Sequence, residues 1–189
     1  MIFLPYIPHK KLKEGAKLCL DNAVCLVSVV DNIAEDYSSV ASFLAILAME
    51  EIGKGIALIK KYDENSGLEE KEWDELKNRG AHKHKLKMVQ ISLTDPYSLL
   101  KPHELSIELQ KIKELESLAY NRAAQLDRFK LDQLYVNWKD GEWISPTYYD
   151  KEKNKWVFKV EKPGESYLYM AIMAIKLLRT KLREYEKEA

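Results

Sequence analysis

The sequence predicts an all-α protein: a bundle of about five helices with a small β-hairpin or ordered loop near the C-terminus. Three observations predict it. Several long stretches repeat their apolar residues at helical spacing. The segments between them are short and carry the polar, proline and glycine residues that end helices. Residues 142–160 alone change to the aromatic and β-branched texture of strands.

The elements follow in order. Residues 1–9 (MIFLPYIPH) hold two prolines and read as an extended arm. Lys10 to Ala34 reads as the first helix, with Leu12, Ala16, Cys19, Leu20, Ala23, Leu26, Val27 and Val30 on or near one face. After a polar turn, Asp36 to Glu64 reads as the second, packed antiparallel on the first. Its Tyr37, Val40, Leu44, Leu47, Ala48, Gly55, Leu58 and Tyr62 share one sector, with Glu51 in the middle of it. Asn65-Ser66-Gly67 is a C-cap signal. Leu68 to Leu93 reads as a polar third helix that Gly80 bends or breaks. A proline-marked loop, 94–103, leads to a fourth helix from Glu104 to Asn137. Glu142 to Tyr149 and Trp156 to Val160 read as strands about the polar turn DKEKNK, with Pro146 forcing an edge or bulge. Pro163-Gly164 opens a last helix to Glu188, with Tyr167, Met170, Ala171, Ala174, Leu177 and Leu178 as its apolar stripe. The 189 residues suit one domain, 1–189, with 142–160 as an insertion.

Composition narrows the function. Hydrophobic residues make up 46% of the chain and charged residues 32%, the balance of a globular protein with a sizeable core. With 30 basic and 30 acidic residues the net charge is zero, so DNA binding by a basic coat is not expected. The N-terminal apolar run, broken by Pro5 and Pro8, is not that of a signal peptide, and no run of about 18 apolar residues suggests a membrane span. Cys19 and Cys25 sit about 240° apart on one helix and should not bridge, which fits a cytoplasmic protein. No ligand-like cluster of His and Cys predicts a metal, and no cofactor is expected.

Two features carry chemistry. The first is the carboxylate pair Glu50 and Glu51 in an apolar helix. Such a charge needs a partner, and Lys54 offers Glu50 an i,i+4 pair. A core acid that caps a neighbouring helix or pairs with a buried Arg is the plainer reading of Glu51. Gly53 and Gly55 each weaken the helix by about 1 kcal/mol against Ala, so another backbone or a ligand should lie close to them. The second is KNRGAHKHKLK, residues 77–87, in which seven of eleven residues are Lys, Arg or His. It is either a solvated face or a phosphate-holding patch. Within it Arg79 and His84 would clamp a phosphate and move the proton of a ribose 2′-hydroxyl without metal. On an unbroken helix they would diverge by about 140°, so convergence needs a break near Gly80 or a second subunit. His82 and Lys85, three apart on one face, are alternative members. His9 and His103, beside prolines, read as ordinary surface histidines. The aromatic residues Trp138, Trp143, Tyr148, Tyr149 and Trp156 would either stack bases or close the bundle.

The run from Leu12 to Ile59, leading into Glu50, Glu51, Gly53 and Lys54, resembles the opening helical pair of AbiV-type abortive infection proteins. The basic segment AHKHKLK and the later LDRFKLDQLYVNWKDGEWISP resemble the same family in the same order. These proteins are similar to the HEPN superfamily of helical, usually dimeric domains, many of them metal-independent ribonucleases with an Arg-x4-6-His motif. Arg79 to His84 matches that motif, although Gly80 stands where the superfamily often has a polar residue. The resemblance implies an HEPN-like bundle and a phage-defence endoribonuclease toxin. Arg79 would stabilise the scissile phosphate and His84 would serve as acid or base. Glu51 or Glu50 would hold them, and Lys54, His82, Lys83 and Lys85 would contact RNA. It also implies a homodimer, RNA as substrate and a phage-encoded protein as trigger. The alternative is a non-catalytic helical dimer that senses a phage product or blocks translation by binding.

Overall fold

The computed structural model describes residues 6–33, 38–77, 81–95, 117–126, 137–139, 142–144, 147–152, 155–158 and 164–187. Among these the helices are α1 (His9–Ile33), α2 (Ser38–Asp63), α3 (Glu70–Lys77), α4 (His82–Thr94), α5 (residues 117–126) and α6 (Gly164–Lys187). The strands are β1 (Asn137–Lys139), β2 (Glu142–Ile144), β3 (Thr147–Asp150) and β4 (Lys155–Phe158).

Helix α2 is the centre of the bundle, covered by α1, α4 and α6. The α1 face read from the sequence is the buried one: Leu12, Ala16, Leu20, Ala23 and Val30 are sealed against α2, with Leu26 packed at the edge. Contacts of His9 with Tyr62, Gly15 with Leu58 and Cys19 with Gly55 show that α1 and α2 run antiparallel. Helix α6 runs parallel to α2, placing Leu178 against Gly55 and Tyr185 against Asp63.

The single apolar sector expected on α2 is corrected. Ala48 and Leu58 of that set are buried, but so are Ala41, Ile46, Met49, Ile52, Ile56 and Ile59, which lie outside it. A helix enclosed on most sides has no single stripe to read. Its C-terminus follows the sequence signal. Asn65 takes the left-handed conformation at φ 51°, while the Ser66 N–H reaches the Lys61 carbonyl at 3.3 Å and the Asn65 N–H the Tyr62 carbonyl at 3.0 Å.

Where one third helix was expected, the described residues hold two, α3 and α4, while Gly80 lies outside the described residues. Of the expected fourth helix, 117–126 is helical, whereas Asn137 belongs to β1. The expected single hairpin is two. β1 pairs antiparallel with β2, Trp138 opposite Trp143, and β3 pairs with β4, Tyr149 opposite Trp156. Pro146, expected to force an edge or bulge, lies outside the described residues.

At the N-terminus, Ile7 and Leu68 exchange backbone hydrogen bonds of 2.9 Å, so the arm is pinned beside the start of α3. His9 is not the free surface residue the sequence suggested. Its Nε2–H donates to the Tyr62 carbonyl at 2.9 Å, and its ring stacks on Tyr62 with centroids 4.3 Å apart. Tyr185 donates to Asp63, and the nearly buried Lys181 lies 3.5 Å from the same carboxylate, joining α6 to the end of α2. Burial and the Asp63 charge push the Tyr185 phenol well above its ordinary pKa.

Candidate functional site

The site begins with a backbone contact. A Cβ on Gly53 would collide with the Lys85 carbonyl group, whose carbon lies 2.7 Å from that position. Only glycine lets α4 lie this close to α2, which answers the sequence's question about a nearby backbone. Because the helices touch here, side chains one turn away on each can meet across the seam.

Glu50 is the carboxylate that crosses it. Its side chain is 4% exposed, and Oε2 accepts a 2.6 Å hydrogen bond from Nδ1 of His82. The Lys85 ammonium, itself buried, lies 3.6 Å from the same oxygen. A carboxylate this deep costs several kcal/mol to desolvate unless cations or donors face it, and here two do. The Glu50–Lys54 pair read from the sequence is corrected: Lys54 instead pairs with Glu51 at 2.6 Å, one turn along the same helix. Glu51 is therefore the half-buried acid and Glu50 the buried one, because the helix face toward α4 includes Glu50 and Gly53.

His84 stands elsewhere. Two positions along an α-helix turn the side chain by about 200°, so His82 and His84 leave α4 on opposite flanks. His84 borders a cleft of about 220 Å³ between α2, α3 and α4, with Lys60, Lys61, Glu64, Glu72 and Glu75 among its walls and Ala57, Leu68, Leu76 and Met88 beneath. Partial burial of its ring lowers its pKa, and the charges of Lys87 and Lys60 lower it further against an opposing pull from Glu75. Lys61 closes one wall by pairing with Glu72 at 2.6 Å. That bond raises the pKa of Lys61 and lowers that of Glu72.

Neither Glu50 nor Glu51, midway along α2, braces His84. His82 and Lys85 share Glu50, whereas Glu51 and Lys54 form their own pair on α2. Lys83, partly exposed, sits in the first turn of α4 between the two histidines. That turn has no side-chain cap and no acidic residue, so its helix dipole and its basic side chains add their positive potential. Arg79 and His103 lie outside the described residues. The sequence weighted the Arg-x4-His spacing and so passed over the tie between Glu50 and His82. Its only signal was a buried-face acid on one helix and a histidine on another, 32 residues apart.

Both cysteines are free. Cys19 is buried, and burial raises its thiol pKa to about 11, leaving it unreactive near neutral pH. Among the described residues no three His, Cys, Asp or Glu side chains gather as a metal set would, and no helix is long and apolar enough to cross a membrane.

No curated protein and no solved structure matches the chain. A protein-family model does: HEPN_AbiV, described as AbiV, matches residues 11–155, a span from near the start of α1 through the first hairpin and β3 to the first residue of β4. That match covers the Glu50–His82–Lys85 cluster, the His84 cleft and the basic segment that carries Arg79. With most of its length inside the match, the chain belongs to the AbiV family and is an abortive-infection protein of the HEPN type.

Proposed function

We propose that the protein is a metal-independent endoribonuclease toxin that halts translation or growth of a phage-infected cell. The observation that carries this reading is the first turn of α4. It is uncapped, free of acids and loaded with His82, Lys83 and His84, and a buried Glu50 fixes one of its histidines from the neighbouring helix. Such a turn suits a polyanion and the proton transfers of RNA cleavage.

In this reading Arg79, just before the turn in the chain, grips the scissile phosphate as a permanent cation. A histidine of the turn moves the proton of the 2′-hydroxyl: the Arg-x4-His spacing points to His84, and the bond to Glu50 to His82. The lowered pKa of His84 keeps its ring neutral, as a base requires. Lys83 and Lys85 add positive charge. The protein acts as a homodimer on RNA, with a phage protein as its trigger.

The test is incubation of the purified protein with cellular RNA, with and without EDTA, beside Arg79→Ala and His84→Ala. Cleavage should persist in EDTA and fall by about 10²-fold or more on loss of Arg79. Equal cleavage by wild type and both variants ends the proposal. The net charge of zero favours a second reading, a non-catalytic dimer that senses a phage product or blocks translation by binding. That reading expects cell toxicity to survive Arg79→Ala, His82→Asn and His84→Ala alike and to vanish when the dimer interface is broken.

A further inference from the structure

We infer that His82, oriented by Glu50, is the proton-transfer residue of this site, in place of the motif histidine His84. The inference rests on the ribonuclease reading and refines it.

The two imidazoles differ in how they are held. Nδ1–H of His82 donates to a buried carboxylate at 2.6 Å, which fixes both the ring's orientation and its tautomer. The proton on Nδ1 leaves Nε2 as the nitrogen that accepts one. The His82 side chain is 31% exposed, so the ring is anchored at one end and open at the other. Among the described residues nothing else bonds to it. Glu50 itself is held in place, since Lys85 lies beside the same oxygen. A buried acid orienting a half-exposed histidine through Nδ1 is the arrangement that general-base catalysis uses on unrelated folds.

His84 has no such anchor. It stands among Lys60, Lys87 and Glu75 as charges acting on its ring, and among the described residues no carboxylate bonds either nitrogen. It lies about 200° round α4 from His82, so one phosphate cannot sit within reach of both in one subunit. Orientation to within a fraction of an ångström decides the rate of a proton transfer, and of the two histidines in this turn the structure supplies it at His82.

The step balances within the chain and its RNA. Nε2 of His82 takes the 2′-hydroxyl proton as the 2′-oxygen bonds to phosphorus. The P–O5′ bond breaks and its electron pair leaves with O5′. The imidazolium returns its proton to O5′ through solvent. The products are a 2′,3′-cyclic phosphate and a 5′-hydroxyl, with the histidine regenerated and Glu50 acting only as a positioning residue.

Cleavage of a defined single-stranded RNA in EDTA tests this, with kcat and KM measured for wild type, His82→Asn, His82→Ala, His84→Ala and Glu50→Gln. The Asn amide can still donate to Glu50 but carries no transferable proton, so it separates packing from chemistry. His82→Asn should lower kcat by about 10²- to 10⁴-fold with little change in KM. Added imidazole should restore part of the activity of His82→Ala. Glu50→Gln should lower kcat, again without raising KM, and His82→Asn should lower kcat more than His84→Ala does. Wild-type cleavage that survives His82→Asn, or that is lost only in His84→Ala, overturns this inference and leaves the ribonuclease reading standing. A failure of imidazole to restore His82→Ala also overturns it. A wild type that cleaves nothing overturns both.

Discussion

His84 is the residue whose environment is most directly testable. Partial burial, with Lys87 and Lys60 nearby, holds its pKa below the ordinary 6.5. Between its folded value and 6.5 the unfolded chain binds more protons than the native one, so stability rises with pH through that window. The contribution is intact above the unfolded pKa and is lost as the pH falls through it. His84→Gln removes the titration. The wild type should therefore lose more Tm between neutral and mildly acidic pH than His84→Gln does. Parallel losses in thermal melts of the two would contradict the assigned environment. The individual residues of the site were legible in the sequence, since each of Glu50, Glu51, Lys54, His82, Lys83, His84 and Lys85 could be singled out as a charge or a proton carrier. Their partners were not. The choice between Lys54 and His82 as the partner of Glu50 depends on how α4 lies on α2, and one chain read in order gives no such angle.

At the scale of elements, the seam between α2 and α4 is set by Gly53. Replacing it with Ala gains about 1 kcal/mol of helix propensity but drives a methyl into the Lys85 carbonyl group, which is backbone and cannot turn aside. Gly53→Ala should destabilise the protein by about 1–3 kcal/mol net and separate His82 from Glu50. Gly15→Ala is the control. Its new methyl would meet only the end of the Leu58 side chain at 3.1 Å, so it should be neutral or stabilising by up to about 1 kcal/mol. Urea melts of both variants check this, and equal effects would contradict the seam. Helix positions were well read wherever one face was solvated, as in α1 and α6. The reading failed for α2, whose burial on most sides erases periodicity. At residues 137–158 it found the strands on either side of DKEKNK, β3 and β4, but missed β1 and its pairing with β2, because strands this short show no regular alternation.

For the whole molecule, α1 and α6 keep large apolar side chains in water, including Leu18 at 63% exposed and Tyr169 at 64%. A homodimer that covers such positions should sediment as a dimer at micromolar concentration, and Leu18→Glu or Tyr169→Glu should shift it toward monomer. A wild type that stays monomeric across that range contradicts the proposed assembly. In the proposed reading, zero net charge leaves the holding of RNA to one local patch, and the sequence concentrates its cations around the first turn of α4. Family membership was legible from three ordered stretches of sequence, because a family is a pattern along the chain. The orientation of His82 was not, because it is a relation across a helix seam. The account comes down to what this turn does to RNA, and the ends of the cleaved strands report it most directly. End-group analysis of RNA incubated with the purified protein in EDTA should find 2′,3′-cyclic phosphates and 5′-hydroxyls. Intact RNA, or ends bearing 5′-phosphate and 3′-hydroxyl, would contradict it.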